Sequence, residues 1–389
     1  MRRVMRTWSS FFAGSLLVLL SVSACITPSH PSKPEPSGSS TGGASTDLRG
    51  IIVARLSNNR LLAVRAPDGK VVAALALAPP PSQMTGAGHY LAVSPDDKLL
   101  YVLTSPLATT KSRIVVVDAA TAAVRESLVV PEPDIVFRSL VVGPKTGLLY
   151  LFGNRGNSVI ITVFDPRKGT VRTSWIAREA SGHNWYVYQG AVSPDERHLL
   201  VSYHGPDTTG IDVFTPTGST LQRCRPAQPT VASVGNGCLS THGGFAFYGE
   251  DILAATGGSD ILQMDLQGVV QQTFDTRLDH NHLMEFVVDA HRQRLYAVGA
   301  CAYVDGFSRV DLHATPTPPA IPTLNNGVCG ERLTLTADGT EVVTGKTHVT
   351  VPDPTVPGQL LFVDVNSGLL RRSIATPSEL IDLLTFPGP

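Results

Sequence analysis

The chain has 389 residues, of which 42% are hydrophobic and 16% are charged, and its 31 basic and 32 acidic residues give a formal net charge of −1. A duplex-binding protein needs a basic surface to neutralise phosphates, so this balance excludes nucleic acid as the expected partner. The 35 glycines and 29 prolines lie mainly between apolar runs, which is typical of many short strands joined by tight turns.

The first 24 residues have the pattern of an export signal. Three arginines within the first six residues precede an apolar and small-residue stretch at 11–24, which is shorter than the roughly 20 residues of a membrane-spanning helix. Val-Ser-Ala-Cys at 22–25 resembles a bacterial lipobox. That resemblance implies cleavage before Cys25 and a lipid anchor containing palmitate. We therefore expect a lipoprotein at the outer face of the cell membrane, rather than an ordinary signal with an incidental cysteine.

Residues 26–47 are rich in Pro, Ser, Gly and Thr and contain almost nothing to bury. They predict a disordered tether with a root-mean-square span of about 25 Å. The expected organisation is a lipoprotein signal at 1–24, a lipidated cysteine with its tether at 25–47, and one folded domain at 48–389.

One pattern recurs along the folded domain: an apolar run, a turn, a second apolar run, and a third run that ends in a polar residue. The clearest copy extends from Tyr90 to Val130. The polar ends of the third runs, spaced 47, 50, 50, 46 and 53 residues apart, are Asp118, Asp165, Thr215, Asp265, Asp311 and Asp364. A period of about 50 with four strands per unit favours β-propeller blades over a β-sandwich. The recurring aspartates are predicted to form turns.

The two ends of the domain complete a seventh blade. Arg49 to Leu77 supplies a second, third and fourth strand but no first strand, and the sequence from Leu383 has the missing first-strand pattern. The sequence therefore predicts an all-β, seven-bladed propeller with four-stranded blades, closed by pairing of the N- and C-terminal strands. Closure removes exposed sheet edges, so deleting residues 381–389 is expected to destabilise the whole ring.

Leu91 to Leu103 and Val115 to Leu128 resemble the YVTN-type β-propeller repeat, whose blade runs close to IAVSPDGKRLYVAN…VSVIDTATGKVVATI. The resemblance covers most of Arg49 to Pro389 and weakens in blades five to seven. It implies a seven-bladed ring of the YVTN and lactonase-like superfamily, often exported. Related propellers include lactonase-like hydrolases, streptogramin-lyase-like enzymes and non-enzymatic surface proteins, and none of their catalytic residues can be placed on this chain.

Four cysteines follow Cys25, and an exported chain meets an oxidising compartment in which disulfides form. Pairing between neighbours, Cys224–Cys238 and Cys301–Cys329, would join successive blades, and free buried thiols are the alternative. The sequence has no Cys-x-x-Cys spacing, which argues against a zinc ribbon.

The segments that lead into the innermost strands carry the candidate functional residues. In a propeller these segments gather around the central channel. The candidate ligand-binding residues are His89, Arg138, His183, Trp185, His242, His280, His282 and Glu331. His280 and His282 share a face if the segment is extended, so they are the candidate ligands for zinc, copper or iron. Trp185, Tyr186 and Tyr188 are candidate aromatic anchors for a ligand.

Three functions fit this pattern. The first is a monomeric binding or scaffold module for a protein or small ligand. The second is an extracytoplasmic hydrolase or lyase of lactonase type, with histidines as acid and base beside Arg138 and Glu331. The third is a metal-binding protein that uses the clustered histidines. The sequence lacks the motifs of serine hydrolases, zinc proteases, phosphate-binding loops and EF-hands, so a binding module is the leading expectation.

Overall fold

The structure is a computed structural model and describes residues 48, 50–77, 88–104, 111–179, 185–204, 209–217, 220–224, 244–255, 260–276, 278, 283–299, 306–313, 321–322, 332–346 and 357–386. All of these residues belong to one compact unit, Ser45–Pro389. The expected signal, acylated cysteine and tether lie outside the described residues and stay predictions. Within the described ranges, no helix is long and apolar enough to cross a membrane.

The described residues form 28 strands. In chain order they are β1 Ile51–Leu56, β2 Arg60–Arg65, β3 Lys70–Ala76, β4 Leu91–Val93, β5 Leu99–Thr104, β6 Arg113–Asp118, β7 Ala123–Val129, β8 Ile135–Val142, β9 Leu149–Arg155, β10 Ser158–Asp165, β11 Thr170–Arg178, β12 Tyr186–Val192, β13 Leu199–His204, β14 Thr209–Thr217, β15 Thr220–Cys224, β16 Phe245–Tyr248, β17 Asp251–Ala255, β18 Asp260–Met264, β19 Val270–Asp275, β20 Leu283–Asp289, β21 Arg294–Gly299, β22 Phe307–Asp311, β23 Ile321–Pro322, β24 Leu333–Leu335, β25 Glu341–Lys346, β26 Gly358–Asp364, β27 Leu370–Thr376 and β28 Leu380–Thr385.

These strands form seven antiparallel four-stranded sheets. Blades 2 to 7 each take four consecutive strands, beginning with β4, β8, β12, β16, β20 and β24. Blade 1 has the order β28-β1-β2-β3, so its innermost strand comes from the end of the chain. The predicted all-β, seven-bladed propeller is confirmed.

The innermost strands form a closed ring. Each contacts the next in the order β28, β4, β8, β12, β16, β20 and β24, and β24 contacts β28 again. In the closing pair, Val53 lies opposite Leu384 and Ala54 opposite Leu383. The predicted closure by N- and C-terminal strands is therefore confirmed, although the closing strand begins at Leu380, earlier than the sequence pattern suggested.

The hydrophobic core lies between the blades. The middle strands are buried along nearly their whole length, as in β6, whereas the outermost strand β7 is almost wholly exposed. Both faces of a blade pack on neighbouring blades, which explains why the middle strands read as continuous apolar runs rather than as alternating patterns. Phenylalanines fill these interfaces: Phe137 lies between blades 2 and 3, Phe152 between blades 3 and 4, and Phe362 between blades 7 and 1.

One end of the blades carries regular tight turns, and we call it the turn side. In the first turn of blade 2 the Ser94 hydroxyl donates to the Asp96 carboxylate at 2.7 Å. The equivalent pairs in blades 4 and 7 are Ser193 with Asp195 and Thr336 with Asp338. The predicted turn-forming role is confirmed for the aspartates that accept the backbone N–H two residues ahead, namely Asp118, Asp165, Asp265, Asp311 and Asp364.

At the opposite end, which we call the mouth side, the chain enters the innermost strands. Four of these strands contain a β-bulge there, and the extra residues are Arg138, Tyr188, Met284 and Ile381. The expectation that Arg138 precedes its strand is wrong, because it lies inside β8. A bulge interrupts the alternation that marks a strand in sequence, which explains why the start of β8 was not recognised.

Candidate functional site

Four charged side chains from four different blades meet at the mouth side of the channel. His89 lies just before β4, Glu285 lies in β20, Arg332 lies just before β24, and Asp382 lies in β28. Glu285, Arg332 and Asp382 are 5%, 6% and 1% exposed, and the His89 side chain is 26% exposed. We call these four residues the axial cluster.

Cations and carboxylates alternate within the axial cluster. His89 Nε2 lies 3.6 Å from Glu285 Oε2, and His89 Nδ1 lies 3.7 Å from Asp382 Oδ1. Arg332 Nη1 lies 3.3 Å from the same Glu285 oxygen, and Arg332 Nε lies 3.8 Å from Asp382 Oδ1. His89 and Glu285 belong to blades 2 and 6, which are as far apart as two blades of a seven-membered ring can be. The cluster therefore bridges the central axis.

Backbone groups hold the axial cluster in place. Asp382 Oδ2 accepts the N–H groups of Tyr90 and Leu91, the latter at 2.8 Å. Arg332 Nη2 donates to the carbonyl of Gly88 at 3.0 Å. A Cβ atom at Gly88 would lie 2.0 Å from the carbonyl oxygen of Arg138, so only glycine fits between blades 2 and 3 at this point.

Electrostatics fix the charge states in the axial cluster. Burial acts to lower the pKa of His89, but the facing carboxylates of Asp382 and Glu285 outweigh it and raise that pKa to about 9. Burial acts to raise the pKa of Asp382, yet His89 and Arg332 hold it below its usual range. At neutral pH His89 is therefore an imidazolium, which neither accepts a proton nor coordinates a metal ion.

Arg55, from β1, is a further cation beside the cluster. It is fully buried, donates to the Leu103 carbonyl, and lies 5.0 Å from the centre of the Tyr90 ring. Burial lowers its pKa to about 10, against the opposing influence of Tyr90 and Asp382. Arg55 thus remains charged at neutral pH and adds positive charge near Asp382.

The structure brings only some of the sequence-predicted residues together. His89 joins the axial cluster, and strand β8, which contains Arg138, contacts the His89 segment through the hydrogen bond from Leu140 N to His89 O at 2.8 Å. Trp185 does not face the channel: it is 7% exposed in the interface of blades 3 and 4, where the Arg178 guanidinium lies 4.3 Å from its ring. His183, His242, His280, His282 and Glu331 fall outside the described residues.

The predicted metal ligands, and at least one cysteine of each predicted disulfide, lie outside the described residues. His280 and His282 stay predicted metal ligands, and within the described ranges no group of three His, Cys, Asp or Glu side chains is arranged to hold a metal ion. Of the four predicted disulfide cysteines, Cys224 ends β15, and the other three lie outside the described residues. Both pairings, Cys224–Cys238 and Cys301–Cys329, stay predictions.

Sequence reasoning missed three of the four members of the axial cluster. Glu285 and Asp382 each stand between apolar neighbours within a strand, in LMEFVVD and LIDLLT. A lone carboxylate in an apolar strand is costly to bury unless a cation pairs with it, so this was the available signal. Arg332 was overlooked because its neighbour Glu331 was chosen instead.

Solved structures share this fold. The periplasmic gluconolactonase PpgL of Pseudomonas aeruginosa is 14% identical with a TM-score of 0.57, and the match covers 87% of this chain and 99% of that one. A candidate 6-phosphogluconolactonase of Bacteroides fragilis is 13% identical with a TM-score of 0.58, covering 88% and 99%. The dihydro-heme d1 dehydrogenase NirN is 13% identical with a TM-score of 0.55, covering 91% and 78%.

No protein-family model and no curated protein matches the sequence. The structural neighbours include lactonase-like propellers, yet identities this low show a shared fold alone. Any function must therefore be argued from the residues of this chain.

Proposed function

We propose that this protein binds a small ligand or a protein partner at the mouth side of its channel. In this proposal an acylated Cys25 anchors it to the outer face of the cell membrane, and it acts as a monomer. The observation that carries the binding function is the axial cluster, in which two cations and two carboxylates from four blades neutralise one another across the axis.

The fixed, paired charges of the axial cluster suit ligand binding better than proton transfer. A general base must accept a proton near neutral pH, and His89, with a pKa of about 9, already holds one. The carboxylates of Glu285 and Asp382 are engaged by Arg332 and His89. Groups that are already ordered and charged lose little entropy when a ligand arrives, which favours binding.

The protonation state of His89 tests this proposal directly. In full-length protein labelled with ¹⁵N-histidine, the His89 ring signal is identified by its loss in His89→Gln. We expect an imidazolium at neutral pH that titrates near 9. Ligands from a small-molecule screen that bind at the mouth side should shift this signal and be recovered chemically unchanged.

Two results would overturn the binding function. An imidazole that titrates near the ordinary value of 6.5 would be available as a base, which removes the argument against catalysis. Turnover of a screened compound would likewise replace a binding module by an enzyme.

The lipid anchor has a separate test. Metabolic labelling with a palmitate analogue should mark the wild-type protein and place it in the membrane fraction, whereas Cys25→Ala should lose both properties. Cys224→Ala is the matched control and should keep the label. Retention of label by Cys25→Ala would contradict anchoring at that residue.

A lactonase-like hydrolase is the second candidate, favoured by the fold that this chain shares with a periplasmic gluconolactonase over 87% of its length. Gluconolactone opening is followed with the full-length protein against buffer alone. If the axial cluster hydrolyses gluconolactone, the hydrolysis rate should be lost in Arg332→Met. It should be kept in Arg197→Gln, because the Arg197 side chain is 80% exposed on the turn side. A rate equal to that of buffer would count against gluconolactone as the substrate.

A further inference from the structure

Two β-bulges in neighbouring blades place polar side chains next to each other at the mouth side. The pairing of β8 with β9 breaks between Phe137 and Ser139, which leaves Arg138 as the extra residue. The pairing of β12 with β13 breaks in the same way and leaves Tyr188. Bulges redirect single side chains and are common beside binding sites. Arg138 and Tyr188 are thus equivalent positions of adjacent inner strands.

The bulges are held rigidly by their flanking residues. Phe137 and Val187 are 0% and 1% exposed in the interfaces between blades. The backbone N–H of Gly190 donates to the Ser139 hydroxyl at 3.1 Å, which ties β12 to β8 immediately beside the two bulges. The positions of Arg138 and Tyr188 are therefore set by the core.

The Arg138 side chain lies near the Tyr186 ring, and its charge acts on the Tyr188 phenol. The Arg138 guanidinium carbon is 6.0 Å from the centre of the Tyr186 ring, at the limit of a cation–π contact. Burial raises the pKa of Tyr188, although the charge of Arg138 acts in the opposite direction, so its phenol keeps its proton at neutral pH. Tyr186 is 45% exposed, which leaves much of this large ring open to solvent.

The side chains of Arg138, Tyr186 and Tyr188 favour the binding of an anion. A guanidinium offers paired N–H donors that match a carboxylate, and a protonated phenol adds an O–H donor. The charges of the axial cluster cancel, whereas Arg138 adds a positive charge beside Tyr186 and Tyr188. A cation would be repelled here, and the open face of Tyr186 provides a flat surface for a ring.

We propose that Arg138, Tyr186 and Tyr188 form a binding site for a small carboxylate that carries a flat or ring-shaped body. This site rests on the proposed binding function and names the class of ligand. Arg138 binds the carboxylate, Tyr188 donates a hydrogen bond to it, and the ring of the ligand packs on Tyr186.

Three probes separate the features of this ligand: benzoate has both ring and charge, benzamide keeps the ring without the charge, and acetate keeps the charge without the ring. Calorimetry with the full-length protein in detergent should show that benzoate binds more tightly than either of the others. Arg138→Gln should weaken benzoate binding by about tenfold, as expected for the loss of a charge-assisted hydrogen bond. Tyr186→Leu should weaken binding of benzoate and leave acetate unchanged.

Control variants keep the test specific. Arg197→Gln removes an exposed arginine on the turn side and should bind benzoate as the wild type does. Arg138→Lys keeps the charge without the paired donors and should give an intermediate affinity. If Arg138→Gln does not fold, the preference of the wild type for benzoate over benzamide still decides the question.

Equal affinities for benzoate and benzamide, no benzoate binding in the millimolar range, or an unchanged affinity in folded Arg138→Gln would each overturn the carboxylate site. If other compounds still shift the His89 signal in those cases, the proposed function stands and only the ligand class is wrong. If no compound binds at all, both proposals fail together.

Discussion

The two sides of this propeller use carboxylates in opposite ways. On the turn side, Asp118 accepts hydrogen bonds from the N–H groups of Ala120 and Thr121 at 3.1 and 3.0 Å, all within one short turn. On the mouth side, Asp382 is 1% exposed and accepts the N–H of Leu91, which lies 291 residues away in sequence. A local, solvated hydrogen bond contributes little to the free energy of unfolding. Removing one partner of a buried ion pair lowers that free energy far more.

This difference between the two sides indicates which side contributes more to the stability of the ring. The turn side repeats the same aspartate turn in several blades, so each turn contributes only a small part of the stability of the ring. Among the residues that the structure describes, the mouth side has one such cluster, which connects blades 6, 7, 1 and 2 and includes the strand that closes the ring. Changes on the mouth side should therefore have much larger effects than matched changes on the turn side.

Removal of the closing strand should have the largest effect. Deleting residues 381–389 takes away nearly all of β28 and with it Asp382, exposing the edge of β1 to other chains. We expect loss of the cooperative thermal transition and aggregation at concentrations where the full chain stays soluble. A chain that ends at Phe386 keeps β28 and is the control. A truncated protein that melts like the full chain would refute closure by this strand.

Breaking the axial cluster should have the next largest effect. Arg332→Met removes one of the two cations that face both Glu285 and Asp382, and we expect a loss of about 3–5 kcal/mol in the free energy of unfolding, measured with urea. Adding Glu285→Gln to Arg332→Met should cost less than the sum of the single changes, because the neutral amide no longer needs the cation that Arg332→Met removes.

The matched turn-side pair is Arg65 with Asp68, whose side chains are 49% and 47% exposed. Arg65→Met should leave the free energy of unfolding nearly unchanged, since exposed ion pairs contribute little. Equal losses in Arg65→Met and Arg332→Met would remove the distinction between the two sides.

The pH dependence of stability should sharpen the comparison. The pKa of His89 is about 9 in the folded protein and takes its ordinary value of 6.5 in the unfolded chain, so its stabilising contribution is complete below about pH 6.5. It is lost as the pH rises through 9. Relative to His89→Gln, the wild type should lose about 2–3 kcal/mol of unfolding free energy between about pH 6.5 and 9.5. Parallel pH profiles for the two proteins would contradict the raised pKa.

The turn side was largely predictable from sequence, because a turn is encoded by adjacent residues. Serine, proline and aspartate at neighbouring positions, and the recurrence of Asp118 and its equivalents every 46 to 53 residues, fixed the number of blades and their turns. The closing strand was found by the same reasoning, since its pattern was the one that blade 1 lacked.

The axial cluster was not predictable in the same way. The pairing of His89 with Glu285 depends on two segments meeting across the ring, and nothing in the spacing of those residues specifies that contact. The bulges at Arg138 and Tyr188 hid the beginnings of two inner strands, because an extra residue shifts the alternation by one position. The signal that the sequence did offer was an acid between two apolar residues, at Glu285 and at Asp382.

The smallest effect is expected for a single turn aspartate. Asp118→Ala removes the acceptor for the N–H groups of Ala120 and Thr121, which water then hydrates, so the loss should be about 1 kcal/mol or less. Asp118→Asn keeps an acceptor oxygen in the same place and should remain close to the wild type in urea denaturation. A loss in Asp118→Ala as large as that in Arg332→Met would mean that one local turn stabilises the ring as strongly as the axial cluster does, and the concentration of stability at the mouth side would be refuted.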